Sequence, residues 1–182
     1  MKTYPAAPMD RFVAFSTPGY VGAPILAWLS ALVLMTLAVV GVGRPPAVLY
    51  GLGGFMAIFG ALTAIPIFFW KRLAPVRYEI SEDSIAIRRG GWPFRDILIP
   101  LGEVRDIRRV NLPWFSIFRC CSYGTNGVFA YVAYYRDKQL GKFFRASTSL
   151  KNELLITGQR QYVISPERPD EFVADVKEAI SR

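Results

Sequence analysis

The densest gathering of chemically capable side chains in this 182-residue chain lies between residues 103 and 121. A basic run, Arg105-Asp106-Ile107-Arg108-Arg109, is followed by Asn111 to Cys121 (NLPWFSIFRCC). That second stretch crowds Leu112, Trp114, Phe115, Ile117 and Phe118 beside Arg119 and the adjacent thiols Cys120 and Cys121. Cations interleaved with large apolar rings suit an anionic bilayer surface, where each basic residue contributes about 1 kcal/mol. They suit the docking of a partner protein equally well. The plainer alternatives are a solvated face, partly neutralised by Glu103 and Asp106, and a bent strand packed into a core. We take Arg105, Arg108, Arg109, Trp114, Phe115, Phe118 and Arg119 as candidate membrane, lipid or partner contacts. Neighbouring cysteines cannot form a disulfide framework, and two reduced thiols fit a domain facing the cytoplasm. S-acylation or a redox role is the sharper reading of them, with Arg119 as a thiolate-stabilising neighbour.

Other chemistry is excluded by what the chain lacks. It has no histidine, which removes imidazole base catalysis, Ser-His-Asp and Cys-His arrangements, and most zinc sites. No pair of acidic residues has a setting that argues for acid/base work. Gly51-Leu52-Gly53-Gly54 lies inside an apolar run and suits helix packing, not phosphate binding. No catalytic, cofactor-binding or metal-binding residue is therefore assigned. The net charge of +8 would suit nucleic acid, but no helix-turn-helix, zinc or RNA-recognition pattern accompanies it, and no nucleic-acid partner is expected.

These candidates must be positioned by elements of two kinds. Residues 20–70 contain a single charge, Arg44, among 51 positions, a block that soluble chain of this length cannot cover. Within it, Tyr20 to Val42 and Ala47 to Trp70 are uncharged runs of 23 and 24 residues. At about 1.5 Å per residue each crosses a hydrocarbon core of about 30 Å. Only Gly43-Arg44-Pro45-Pro46 separates them, so they read as an antiparallel transmembrane hairpin. The first run is too long for a signal peptide and is followed at once by another span, so it reads as uncleaved. Ala23, Ala27 and Ala31, and Gly53, Ala57 and Ala61, recur every four residues. Such faces pack the hairpin on itself, or against a second copy or a partner's helix. Lys2 and Arg11 flank the first span, and Lys71, Arg72 and Arg77 flank the second. The positive-inside rule then puts both termini in the cytoplasm, with Trp70, Lys71 and Arg72 as the interfacial anchor.

Residues 1–19 are expected as a cytoplasmic tail, 20–70 as the hairpin and 71–182 as a cytoplasmic domain. The domain carries 19 basic against 13 acidic residues. Alternating patterns predict strands at 76–80, 84–88, 96–100, 128–135, 141–146, 153–156 and 161–164. Residues 101–110 fit either a short helical turn or a bulged strand. Gly124-Thr125-Asn126-Gly127 and Gly158-Gln159 are expected as turns. Phe172, Val173, Val176 and Ile180 share one face of a terminal helix over 171–180.

The strand order, the segments IPLGEV-RDI and GVFAY-VAYY, and above all QYVISPERPDEFVADV make residues 76–181 resemble the bacterial pleckstrin-homology (PH-like) domain proteins, many of which carry two membrane spans before the domain. The resemblance implies a mainly β PH-like barrel or sandwich of about seven strands, capped by a carboxyl-terminal helix. It also implies a non-catalytic interaction module in the bacterial inner membrane. Eukaryotic lipid-binding relatives cluster Lys and Arg around the first hairpin to clamp inositol phosphates. Here that turn is Ser81-Glu82-Asp83, so specific phosphoinositide recognition is not expected. The expected function is an adaptor or accessory subunit that binds a protein partner at the cytoplasmic membrane face. The alternative is a sensor of anionic lipid that uses the basic and aromatic surface.

Overall fold

The computed structural model describes residues 1–41, 46–113 and 124–181. The chain divides into two units, Ser16–Phe69 and a second made of Met1–Phe15 with Trp70–Arg182.

The first unit comes from two long helices, α1 (Arg11–Val40) and α2 (Pro46–Leu73). Both are long and apolar enough to cross a membrane. Their large side chains point outward, with Leu26, Ile58 and Leu62 each more than 60% exposed. Small residues lie inward: Ala27 and Ala31 are buried, and a Cβ on Gly53 would stand 2.9 Å from Met35 Cγ. One on Gly60 would strike the Trp28 indole at 2.6 Å. Ala27, Ala31, Gly53 and Gly60 thus line the contact between the two helices, whereas Ala23 of the expected face is exposed. The linker residues 42–45 lie outside the described residues.

Helix α1 begins nine residues before the apolar run expected from sequence. Asp10 supplies the reason: its Oδ1 accepts the Val13 N–H at 2.9 Å, the bond an N-cap makes to the third helical residue. Its Oδ2 accepts the Leu150 N–H and the Tyr131 hydroxyl, each at 3.1 Å.

Among the described residues the second unit holds ten strands, in two sheets that do not close into a barrel. One sheet has the order β1-β2-β3-β4, from Lys2–Pro5, Pro75–Ile80, Ser84–Arg89 and Ile97–Pro100. A 3-10 turn at Leu101–Glu103 leads into β5 (Asp106–Val110), so residues 101–110 contain both conformations left open by the sequence. The remaining strands are β6 (Thr125–Val128), β7 (Ala130–Asp137), β8 (Gly141–Ser147), β9 (Glu153–Thr157) and β10 (Gln161–Ile164). They form a six-stranded sheet in the order β5-β9-β10-β8-β7-β6, antiparallel except for β8 and β10. Helix α3 (Pro169–Ile180) closes the unit, with Pro169 at its start and Asp170 and Glu171 in its first turn, both favourable there.

Two expectations change. Residues 1–19 are not all tail, because β1 pairs antiparallel with β2, Lys2 opposite Ile80 and Pro5 opposite Arg77. Residues 124–127 are not simply a turn: Thr125–Val128 pairs with β7, with a bulge where Gly127 takes φ +91°. A side chain there would collide with the Phe12 ring, since a Cβ would lie 2.3 Å from it.

One core joins both sheets and α3. Phe172 and Val176 are fully buried, and the Phe172 ring meets Tyr4 edge-on at 5.1 Å and Tyr78 at 6.3 Å. The Tyr78 hydroxyl donates to the Ala146 carbonyl of the other sheet at 2.8 Å. Burying each such ring is worth about 1.5–3 kcal/mol. The opposite face of the six-stranded sheet is buried as well, with Leu112, Ala133, Tyr135, Phe143, Leu155 and Val163 in a second cluster.

Candidate interaction surfaces

The basic run is not one patch. Strand alternation sends Arg108 to one face of β5 and Arg109 to the other. Arg109 reaches α3, where Nε and Nη2 donate to Asp170 Oδ1 at 3.1 and 2.7 Å. Arg108 stands with Asp106 two residues back on its own face, 3.9 Å apart. Arg105, just before the strand, is exposed and is held through its backbone N–H on Thr157. Of the apolar stretch, Leu112 is buried in the second core. Trp114, Phe115, Phe118, Arg119, Cys120 and Cys121 lie outside the described residues.

The anchor residues close α2. Lys71 is exposed, whereas Arg72 turns toward the domain and donates from Nη1 to the Gly90 carbonyl at 2.9 Å. The Gly90 N–H in turn donates to the Arg72 carbonyl at 2.9 Å. At the first hairpin, the buried Glu79 accepts from Arg77 at 2.8 Å and Arg88 at 2.6 Å, and Arg88 also holds Asp96 at 2.7 Å. Hydrogen bonding to Arg88 first, and to Arg77, depresses the Glu79 carboxyl against the opposing effect of burial. Arg88 is thus committed to two carboxylates, which agrees with the acidic hairpin turn in arguing against a phosphate clamp.

A groove of 370 Å³ runs beside α3, lined by Met1, Lys2, Ile80, Ser81, Glu82, Asp175, Glu178 and Ala179. The chain's own β1 forms one wall. Lys2 Nζ lies 2.7 Å from Asp175 Oδ1, and the Tyr4 hydroxyl donates to Asp175 Oδ2. These two bonds, Lys2 first, hold Asp175 below the usual carboxylate range. Burial, and then the facing Asp175, push the Tyr4 phenol up to about 12. Sequence periodicity gave no sign of this wall, because Lys2–Pro5 has only one buried residue, Tyr4.

A second feature that sequence reasoning missed is a fully buried ion pair. Arg145 Nε and Nη2 donate to Glu153 Oε1 and Oε2 at 2.7 and 2.5 Å. The Ser147 hydroxyl adds a bond to Glu153 at 2.8 Å. The Tyr131 and Tyr135 rings flank the guanidinium at 5.4 and 5.5 Å. Parity was the available sign: Arg145 sits two residues from the core Phe143, on the same face of β8. Among the described residues no group of three or more His, Cys, Asp or Glu gathers as metal ligands.

Against known proteins, a family model described as bacterial PH domain matches residues 76–180, more than half of the chain. No curated protein and no solved structure matches.

Proposed function

The chain belongs to the bacterial PH-domain family, and from that premise we propose that it is a non-catalytic, membrane-anchored adaptor or accessory subunit that binds a protein partner. The two apolar helices tether it in the bacterial inner membrane with both termini in the cytoplasm. Strand β1 supports that topology, since residues before the first helix and after the second share one sheet. A tether supplies high local concentration at the membrane, so the domain need not bind lipid strongly itself.

The observation that carries the partner reading is the groove beside α3. Its lining includes the apolar Ile80 and Ala179 beside Glu82 and Glu178, with Asp175 taken up by Lys2 and Tyr4. That chemistry suits a peptide segment presenting an apolar side chain next to a basic one. The lipid-sensor alternative has less behind it, because Arg108 and Arg109 point to opposite faces of β5 and do not form one patch.

The test is affinity purification of the full-length protein from its own membranes in mild detergent, beside Glu82→Lys with Glu178→Lys. A protein retained by the parent and lost from the double variant is the expected outcome. No protein, with enriched anionic lipid instead, would favour the sensor.

A further inference from the structure

We infer that the loop Arg89–Arg95 is a membrane-contact element that seats the domain against anionic headgroups, an inference that rests on α2 being a membrane span. The loop reads Arg89-Gly90-Gly91-Trp92-Pro93-Phe94-Arg95 and contains no acidic residue. Trp92 is 75% exposed. Gly91, Pro93 and Arg95 beside it are exposed too.

The loop is tied to the residues that follow the apolar run. Gly90 and Arg72 exchange two hydrogen bonds, each 2.9 Å, and Arg72 is two residues beyond Trp70, where the apolar run stops. The approach leaves no room for a side chain, since a Cβ on Gly90 would lie 2.9 Å from Arg72 Cα. The loop is therefore held by one backbone and one guanidinium hydrogen bond to a residue just beyond the apolar run, which on the spanning reading is the interfacial level. Tryptophan is enriched at that level because its ring is largely apolar while its N–H finds water or headgroups.

Internal bonds order the loop. Arg89 donates to the Arg95 carbonyl and lies 5.7 Å over the Phe94 ring, and the Phe94 N–H donates to the Gly91 carbonyl at 3.0 Å. The nearest acid, Asp96, is taken up by Arg88 and by the Arg89 backbone N–H. Lys71, Arg72, Arg89 and Arg95 consequently give this end of the domain a positive field, complementary to anionic lipid. The acidic turn Glu82-Asp83 lies at the other end of the β2–β3 hairpin, so the hairpin is polarised, positive toward the span and negative away from it.

The test uses the full-length protein with Cys120→Ser and Cys121→Ser, carrying Trp92→Cys, Arg95→Cys or Glu82→Cys labelled with an environment-sensitive dye. Each is reconstituted into vesicles of phosphatidylethanolamine and phosphatidylglycerol containing a lipid nitroxide near the headgroup. Dyes at 92 and 95 should lose most of their emission, the dye at 82 should lose little, and adding Lys71→Glu should weaken the loss. A dye at 92 and 95 reached by aqueous iodide and not by the nitroxide overturns the inference. Shielding from both quenchers would mean a protein covers the loop, and equal quenching at 82 would mean no defined contact; both overturn it as well. Release of the protein from the vesicles by alkaline carbonate would sink the spanning reading itself, whereas retention without quenching sinks the loop contact alone.

Discussion

Two arginine–carboxylate pairs in the PH domain close at similar distances in opposite surroundings, Arg145 on both oxygens of Glu153 and Arg109 on one oxygen of Asp170. Arg145–Glu153 closes at 2.5 Å with both side chains 0% exposed. Arg109–Asp170 closes at 2.7 Å with its side chains 50% and 84% exposed. Distance does not separate them; what replaces water does. Around the buried pair, a serine hydroxyl and two tyrosine rings stand in for the lost hydration. Around the exposed pair, water is still present, and the arginine can exchange its partner at little cost. A residue available to an incoming partner and a residue that fixes the fold therefore look alike in sequence, and burial tells them apart.

The largest effect should come from breaking the buried pair on one side only. Glu153→Gln, or Arg145→Leu, leaves a desolvated charge or an orphaned donor set and should cost about 3–5 kcal/mol. Replacing both at once, Arg145→Met with Glu153→Leu, should cost much less than the sum, since two apolar groups of similar volume need no partners. Denaturant midpoints of the full-length protein in detergent would read this. An additive double variant would mean the pair is not the unit that the contacts describe.

That contrast also explains what could be read from the sequence. The spans, the hairpin β2–β3, strands β7 to β10 and α3 carry local period-two or period-3.6 patterns, and those patterns are what a core imposes on its own elements. Strand β1 carries none, since its place is set by pairing with residues more than seventy positions away and by one tyrosine against Phe172. Strand β6 was hidden by turn-forming residues, because the positive φ that suits Gly127 to a turn also suits it to a bulge. The start of α1 depends on Asp10, whose cap is completed by Leu150 and Tyr131 from the far end of the chain. For the candidate surface, the three-residue spacing of Leu101, Val104, Ile107 and Val110 left turn and strand open, so the alternation of β5 that separates Arg108 from Arg109 was not legible. Asp170 as the partner of Arg109 was not legible either, because it depends on where α3 docks.

Between the extremes stands Asp175, 18% exposed and facing Lys2 and Tyr4. Because the Tyr4 pKa is raised, the clasp's contribution from the neutral phenol is fully present below pH 10 and is lost as pH rises through about 12. A difference titration at the tyrosinate absorbance, parent minus Tyr4→Phe, should show a midpoint at about 12. Asp175→Asn should move that midpoint down toward the ordinary value while costing about 1 kcal/mol of stability. An unshifted midpoint in the parent would mean that β1 does not clasp α3 in solution, and the groove would lose a wall.

The smallest effect should come from the exposed pair. Arg109→Ala should change stability by about 0–1 kcal/mol, and the change should shrink as salt is raised, because water and ions already screen both charges. Asp170→Ala separates the two roles of that carboxylate: it removes the ion pair and also a negative charge from the first turn of α3, where the helix dipole favours one. If only the ion pair mattered, the two variants would match and the double variant would add nothing further. If Asp170→Ala costs more than Arg109→Ala, the excess measures the helix end, and Arg109 is then a surface cation whose loss the fold tolerates. Only such a cation can take part in binding without taxing the fold, so this small difference decides whether Arg109 stays a candidate contact.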